Sequence, residues 1–155
     1  MTPFQIRPAR PDDADAIATI HTEARRAAMP WLPTPHTLDE TRHWIAALVL
    51  PRQVVWVAEQ EGRVAGVAAL DGTTLEQLYV LPAAQGQGVG GALLAKMQAL
   101  AGDGLELWTF QRNAAARAFY ERRGFVAVEF GDGSGNEEHE PDVRYRWRAT
   151  SGATP

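Results

Sequence analysis

The chain has 155 residues, 45% of them hydrophobic and 22% charged, with a net charge of −4 and no cysteine. This length fits one ordinary domain; the missing cysteines exclude disulfides and thiolate chemistry, and the acidic balance speaks against general nucleic-acid binding, which needs clustered positive charge. No apolar run is long enough to span a bilayer, and the opening MTPFQIRPARPDD lacks the apolar stretch of a leader, so we expect a cytoplasmic protein without a membrane partner.

Phe4 to Arg7 alternates like a short strand. Asp12 or Asp13 can cap the helix that follows, in which Ile17, Ile20, Ala24 and Ala27 recur at helical spacing. Three prolines in Met29–Pro35 break that helix. Thr37 and Glu40 form a capping-box pattern before Trp44, Ile45, Leu48 and Val49, which predicts a second helix ending before Pro51. Val54–Glu59 and Val64–Leu70 read as a hairpin turned at Glu61-Gly62, and Thr74–Val80 as the next strand. Val89, Leu93, Met97 and Leu100 line one face of a third helix. Leu105–Phe110 is a strand. Asn113 caps a helix carrying Ala116, Phe119 and Tyr120, with Gly124 as its left-handed stop. Phe125–Phe130 and Val143–Trp147 read as final strands around a polar loop. The order β-α-α-β-β-β-α-β-α-β-β predicts one mixed, largely antiparallel α/β sheet flanked by helices. We expect a single domain over residues 1–150 and a frayed tail at 151–155.

Between the third strand of that run and its helix lies LPAAQGQGVGGALLAKM, Leu81 to Met97. Gly86, Gly88 and Gly91 satisfy G-x-G-x-x-G by count, and Glu106 sits about twenty residues on, as a ribose-binding acid would. The context opposes a nicotinamide oxidoreductase, because that fingerprint should follow the first strand of a parallel sheet. A nucleotide loop ending in G-K-[ST] is excluded by Gly90-Gly91-Ala92. The other reading begins at Gln85. Gln85-x-x-Gly88-x-Gly90 places a polar side chain at the loop entrance and glycines where backbone bends or approaches a ligand. The free N–H groups of the helix's first turn then form an anion site that suits a pyrophosphate without metal or lysine.

This pattern, with the proline after the strand, resembles the central motif of the GNAT superfamily of N-acetyltransferases, in which Gln85 stands where arginine is commoner. A second family segment, Asn, then Phe-Tyr on a helix, then Gly-Phe, is matched by Asn113, Phe119-Tyr120 and Gly124-Phe125. The resemblance is strong from Leu75 to Phe125. It implies acetyl-CoA as cosubstrate and no metal. The pantetheine arm would pair with backbone at Leu78 and Val80, where their strand splays from the strand near Leu107. Gly86, Gly88, Gly90 and Gly91, behind Gln85, would cradle the pyrophosphate, and Asn113 would contact the cofactor. Tyr120 matches the family's acid for the departing thiolate; the alternative is a tyrosine that only packs. Glu76 is a candidate base, since alternation puts it on the face of Leu78 and Val80. Some family members keep a glutamate two residues earlier, at the position of Thr74. His36 and His43 are rival bases.

In the family the acceptor pocket is built from the loop between the first two helices and from the last inter-strand loop. Here the first is MPWLPTPH, which offers Trp31 and His36 as substrate contacts; Tyr79 on the central strand is a third. The second carries Asp132, Glu137, Glu138, Glu140 and Asp142, which either attract a cationic amine or form a mobile, solvated hairpin. Trp108 reads as core rather than pocket wall. The expected partner is a small-molecule amine, and homodimerisation through the final strands stays open. The competing class is a GNAT-like fold that senses acetyl-CoA without catalysis.

Overall fold

The computed structural model describes residues 2–150; Met1 and the tail expected at 151–155 lie outside the described residues. Seven strands make one sheet: β1 (Gln5–Pro8), β2 (Val54–Gln60), β3 (Arg63–Asp71), β4 (Thr74–Val80), β5 (Gly104–Phe110), β6 (Val126–Gly131) and β7 (Asp142–Arg148). Their order is β1-β2-β3-β4-β5-β7-β6. Every pairing is antiparallel except β4 with β5. This is the mixed sheet read from the sequence, and it removes the parallel context that a dinucleotide fingerprint requires. Glu106 is bound instead to Arg144 and Arg146, at 2.8 and 3.2 Å.

Helices cover both faces. On one lie α1 (Ala14–Ala28) and α2 (Leu38–Trp44). Ile17, Ile20, Ile45 and Val49 there pack on Val57, Val67 and Ala69 of the sheet. Each such side chain, removed from water, contributes roughly 1.5–3 kcal/mol. The opposite face carries α3 (Val89–Ala101) and the Tyr120 of α4 (Ala114–Glu121), packed on Leu70, Leu75, Leu107 and Tyr145. The close seat of α3 on β3 depends on Gly66, where an added Cβ would lie 2.9 Å from a Val89 methyl and 3.0 Å from Leu93.

The local signals act as read but for one: Asp13 stands at the N-cap of the first helix but its side chain caps no N–H of that helix, its carboxylate instead reaching back to accept from the Arg10 N–H at 2.7 Å and from Arg7. Thr37 and Glu40 close their capping box. Glu61 and Gly62 both take positive φ, as a two-residue hairpin turn requires. One boundary differs: the second helix does not stop before Pro51. It runs on through a π-helical turn, Ile45–Val49, and a last turn, Leu50–Arg52. The wider turn lets Leu50 donate to the Ile45 carbonyl, so the helix passes a proline that has no N–H to give.

Two irregularities position the site. β4 pairs with β5 only at Thr74–Glu106 and Leu75–Leu107, so the strands part beyond Leu75. β4 also carries a bulge, since Leu70 pairs with Leu75 and Ala69 with Gln77, which leaves Glu76 outside the register. The edge strand β6 exposes Val126 and Phe130, at 63% and 60%. Among the described residues no helix is long and apolar enough to cross a membrane.

Candidate active site

Where β4 and β5 part, a cavity of about 660 Å³ opens between the strand ends, the start of α3 and the face of α4. Its floor is backbone. Leu78 and Val80 line it, and the β4 edge facing β5 has no strand partner there. At its far end the chain turns through Gly86 (φ 77°) and Gly88 (φ 87°), conformations that side chains other than glycine's rarely adopt. From Gly86 to Gly91 no N–H has a protein acceptor among the described residues; the first helical bond is from Ala92 to the Gly88 carbonyl, at 3.0 Å. These are the free first-turn N–H groups at which the sequence reading expects an anion.

Side chains brace this end. The Gln85 amide donates to the Val80 carbonyl at 3.1 Å, tying the glycine turn to β4. The Asn113 oxygen accepts from the Ala116 N–H at 3.1 Å, capping α4 while Asn113 lines the cavity. Arg122 and Arg123 also line it, although the sequence reading passed over them. Arg123 lies over the Phe119 ring at 3.8 Å, and its guanidinium is 3.4 Å from where a Gly91 Cβ would be. Their signal was available: two arginines inside the FYERRGF segment, one turn past Phe119.

Tyr120 lines the same cavity, held edge-on by Phe119 at 5.2 Å and Phe125 at 5.5 Å. Its hydroxyl has no hydrogen-bond partner among the described residues. Burial, then the charge of Tyr79, pushes its pKa upward, and the phenol keeps its proton.

A second cavity, of about 750 Å³, lies between β4, α1, the loop after α1 and the β6–β7 loop. The two cavities share Arg25, Glu76, Gln77, Tyr79 and Glu138. Glu76 is therefore at the junction, but not by the route the sequence suggested. The bulge breaks the alternation, and Leu75, not Glu76, joins Leu78 and Val80 against the α3 core. The Glu76 side chain is exposed to the cavities, whose walls crowd it. That partial desolvation, then the Asp71 charge, raises its pKa above the usual carboxylate range.

The remaining candidates divide. Tyr79 lines both cavities, its hydroxyl accepting from Arg25 at 3.0 Å. His36 lines the second and lies 3.0 Å from Glu137. His43 is exposed and lines neither. Trp31 also lines neither: it packs on Phe110 at 6.3 Å beneath the Arg112 guanidinium at 4.1 Å, clamping the loop to β5. Trp108, expected in the core, is 46% exposed and walls the first cavity, because its position on β5 faces the gap left by β4. The acidic loop is not a free, solvated hairpin. Glu138 pairs with Arg25 at 3.0 Å and Glu140 with Arg112 at 3.5 Å, and Asn136 donates to the Glu140 carbonyl.

His21 and Arg25 were missed. Four residues apart on α1, they line the second cavity from a helix otherwise read for its apolar stripe. His21 packs between Tyr79, at 5.1 Å, and Trp44, at 5.7 Å. Burial, then the charge of Arg25, pushes its imidazole down to about 4. Gln77 is 4% exposed, and neither atom of its amide has a partner.

The first cavity thus ends in open N–H donors, is reached from a splayed β4 and is overlooked by an unpaired tyrosine, and the comparisons give the family in which these features occur. The acetyltransferase (GNAT) domain family matches residues 51–127. An uncharacterized N-acetyltransferase of Mycobacterium bovis is 30% identical over 129 residues, covering 73% of this chain and 83% of the relative. The peptidyl-lysine N-acetyltransferase YiaC of Escherichia coli is 30% identical over 122 residues, covering 69% and 83%. The structure of YncA from Salmonella typhimurium, solved with its cofactor acetyl-CoA, superposes with a TM-score of 0.71 at 25% identity, covering 99% of this chain and 98% of that one. The chain belongs to the GNAT acetyltransferase family. It is an N-acetyltransferase.

Proposed function

We propose that this chain moves the acetyl group of acetyl-CoA onto a primary amine of a small-molecule acceptor by direct attack in a ternary complex. The observation that carries the reading is the meeting of two cavities at Glu76 and Tyr79, one ending in free backbone donors and the other open to an acceptor. The residues present suit the cosubstrate. The N–H groups of Gly86 to Gly91, with Arg122 and Arg123 beside them, hold phosphates; the unpaired edge at Leu78 and Val80 takes the amides of the pantetheine arm; Asn113 contacts it from α4. Acetyl-CoA supplies an activated thioester carbonyl. A backbone N–H of β4 polarises that carbonyl. Glu76, its pKa raised, takes a proton from the incoming ammonium, directly or through water, so that nitrogen can attack. As the new C–N bond forms and the C–S bond breaks, Tyr120 gives its proton to the departing sulfur, and the second proton that nitrogen sheds in becoming an amide passes through water to the Tyr120 oxygen.

The test is a melt of the purified protein with acetyl-CoA, with NADH as control, followed by a CoA-release assay over an amine panel. At a hundred times its dissociation constant a ligand adds roughly 2.7 kcal/mol, which for this size raises the midpoint by more than about five degrees. A rise with NADH alone would overturn the reading.

A further inference from the structure

The acceptor cavity has a composition that selects within amines. Its walls carry five carboxylates, those of Glu23, Glu40, Glu76, Glu137 and Glu138, against two guanidiniums, those of Arg25 and Arg26. The Arg25 charge is matched by Glu138 at 3.0 Å, which leaves an excess of negative charge facing the space. Four aromatic rings stand in the same wall, His21, Trp44 and Tyr79 together and His36 beside Glu137 at 3.0 Å. Trp44 is 38% exposed, an unusual state for so large an apolar ring unless something covers it. Aromatic faces attract cations, most strongly where water is displaced. His21 belongs to this group as a neutral ring, so it does not repel a cation. Gln77, at the junction, is buried with both its amide oxygen and its amide nitrogen unpartnered; the oxygen is open to an ammonium donor, and the unmet pair calls for a water or ligand group to complete it.

We infer that the acceptor is a diamine-type cation: one amine is acetylated at the junction, and a second, still protonated, is held by the Trp44–His21–Tyr79 wall and the carboxylates of Glu23 and Glu137. The inference rests on the acetyl-transfer reading and narrows its substrate. The near ammonium gives one proton to Glu76, gains the acetyl group, and sheds its second proton toward the departing thiolate by way of Tyr120; the far ammonium is unchanged through the reaction and serves only as an anchor. A monoamine of the same length loses that anchor, and an amino acid with a carboxylate in its place meets like charge.

Three acceptors of one chain length separate these cases: 1,5-diaminopentane, pentylamine and 5-aminopentanoate, each assayed for CoA release under saturating acetyl-CoA. We expect kcat/KM to fall in that order, with about tenfold between the first two. Added salt should narrow the gap. The diamine-over-pentylamine ratio should drop toward one in Glu137→Gln and in Trp44→Ala, two substitutions at exposed side chains, with folding checked by melting. Equal rates for the diamine and pentylamine, or a preference for 5-aminopentanoate, would overturn the inference. So would turnover of none of the three while acetyl-CoA still raises the melting point, an outcome that leaves acetyl transfer standing. Absence of any acetyl-CoA stabilisation would instead remove the acetyl-transfer reading, and the inference with it.

Discussion

The two cavities are built from different materials. The first is mostly backbone: the open edge of β4, the positive-φ glycines and the unpaired N–H groups of the α3 start. Its polar side chains brace that backbone, Gln85 on the Val80 carbonyl and Asn113 on its own helix. The second is mostly side chain. Arg25 meets Glu138 across a sequence separation of 113 residues, and His36 meets Glu137 across 101. A backbone site needs particular residues at particular steps, because only they permit the conformation. A side-chain site needs only that the right charges converge, and many sequences achieve that.

This contrast can be broken most directly at Tyr120, which lines the first cavity alone. Tyr120→Phe should lower kcat by about 10²–10⁴-fold, the range of a lost proton donor. Its acetyl-CoA affinity and melting point should stay close to wild type, since the hydroxyl bonds to no described group; equal loss of affinity would make Tyr120 a packing residue. Glu76→Gln should remove the low-pH limb of the rate profile. The base proposed there works deprotonated, so activity rises as pH passes its raised pKa, and a limb that survives the substitution would assign the base elsewhere.

His21→Phe sharpens the side-chain half through stability. The imidazole pKa is lowered from 6.5 to about 4 in the folded protein. Above 6.5 both states are neutral, and the term is absent. As pH falls toward 4 the unfolded chain takes a proton that the folded chain refuses, which costs up to about 3 kcal/mol. Denaturant titrations at pH 7 and pH 4.5 should show this loss in wild type and a smaller one in the variant.

Gly88→Ala and Arg25→Met compare the halves side by side. An alanine at Gly88 meets nothing within 4 Å, so its penalty is conformational, about 1–2 kcal/mol for the left-handed backbone. Calorimetry should find weaker acetyl-CoA binding. Removing Arg25 leaves Glu138, whose side chain is 12% exposed, without its cation, at a cost of about 1–3 kcal/mol in stability. Arg25→Met should raise the KM for the amine and leave acetyl-CoA affinity unchanged. If both variants weaken acetyl-CoA equally, the two halves are one unit.

Much of this molecule was legible in its sequence because the signals were local. The capping box at Thr37, the Glu61-Gly62 turn, the Asn113 cap and the glycine turn each act within a few residues, and the structure places all of them. The apolar periodicities fixed which helix faces meet the sheet. What failed depended on partners far along the chain. Trp108 is exposed where β4 has left β5, whose pairing with it stops three residues short of the end of β5. Trp31 is drawn onto Phe110 and Arg112, some eighty residues away. Glu76 reaches the junction through a bulge that periodicity does not reveal. By itself the sequence determined the elements, the sheet class and the backbone site, since local sterics and hydrogen bonding select those conformations. Tertiary structure alone decided the second cavity, where His21, Arg25, Trp44, Gln77 and Glu138 become neighbours because the sheet and α1 bring distant side chains within reach of one another.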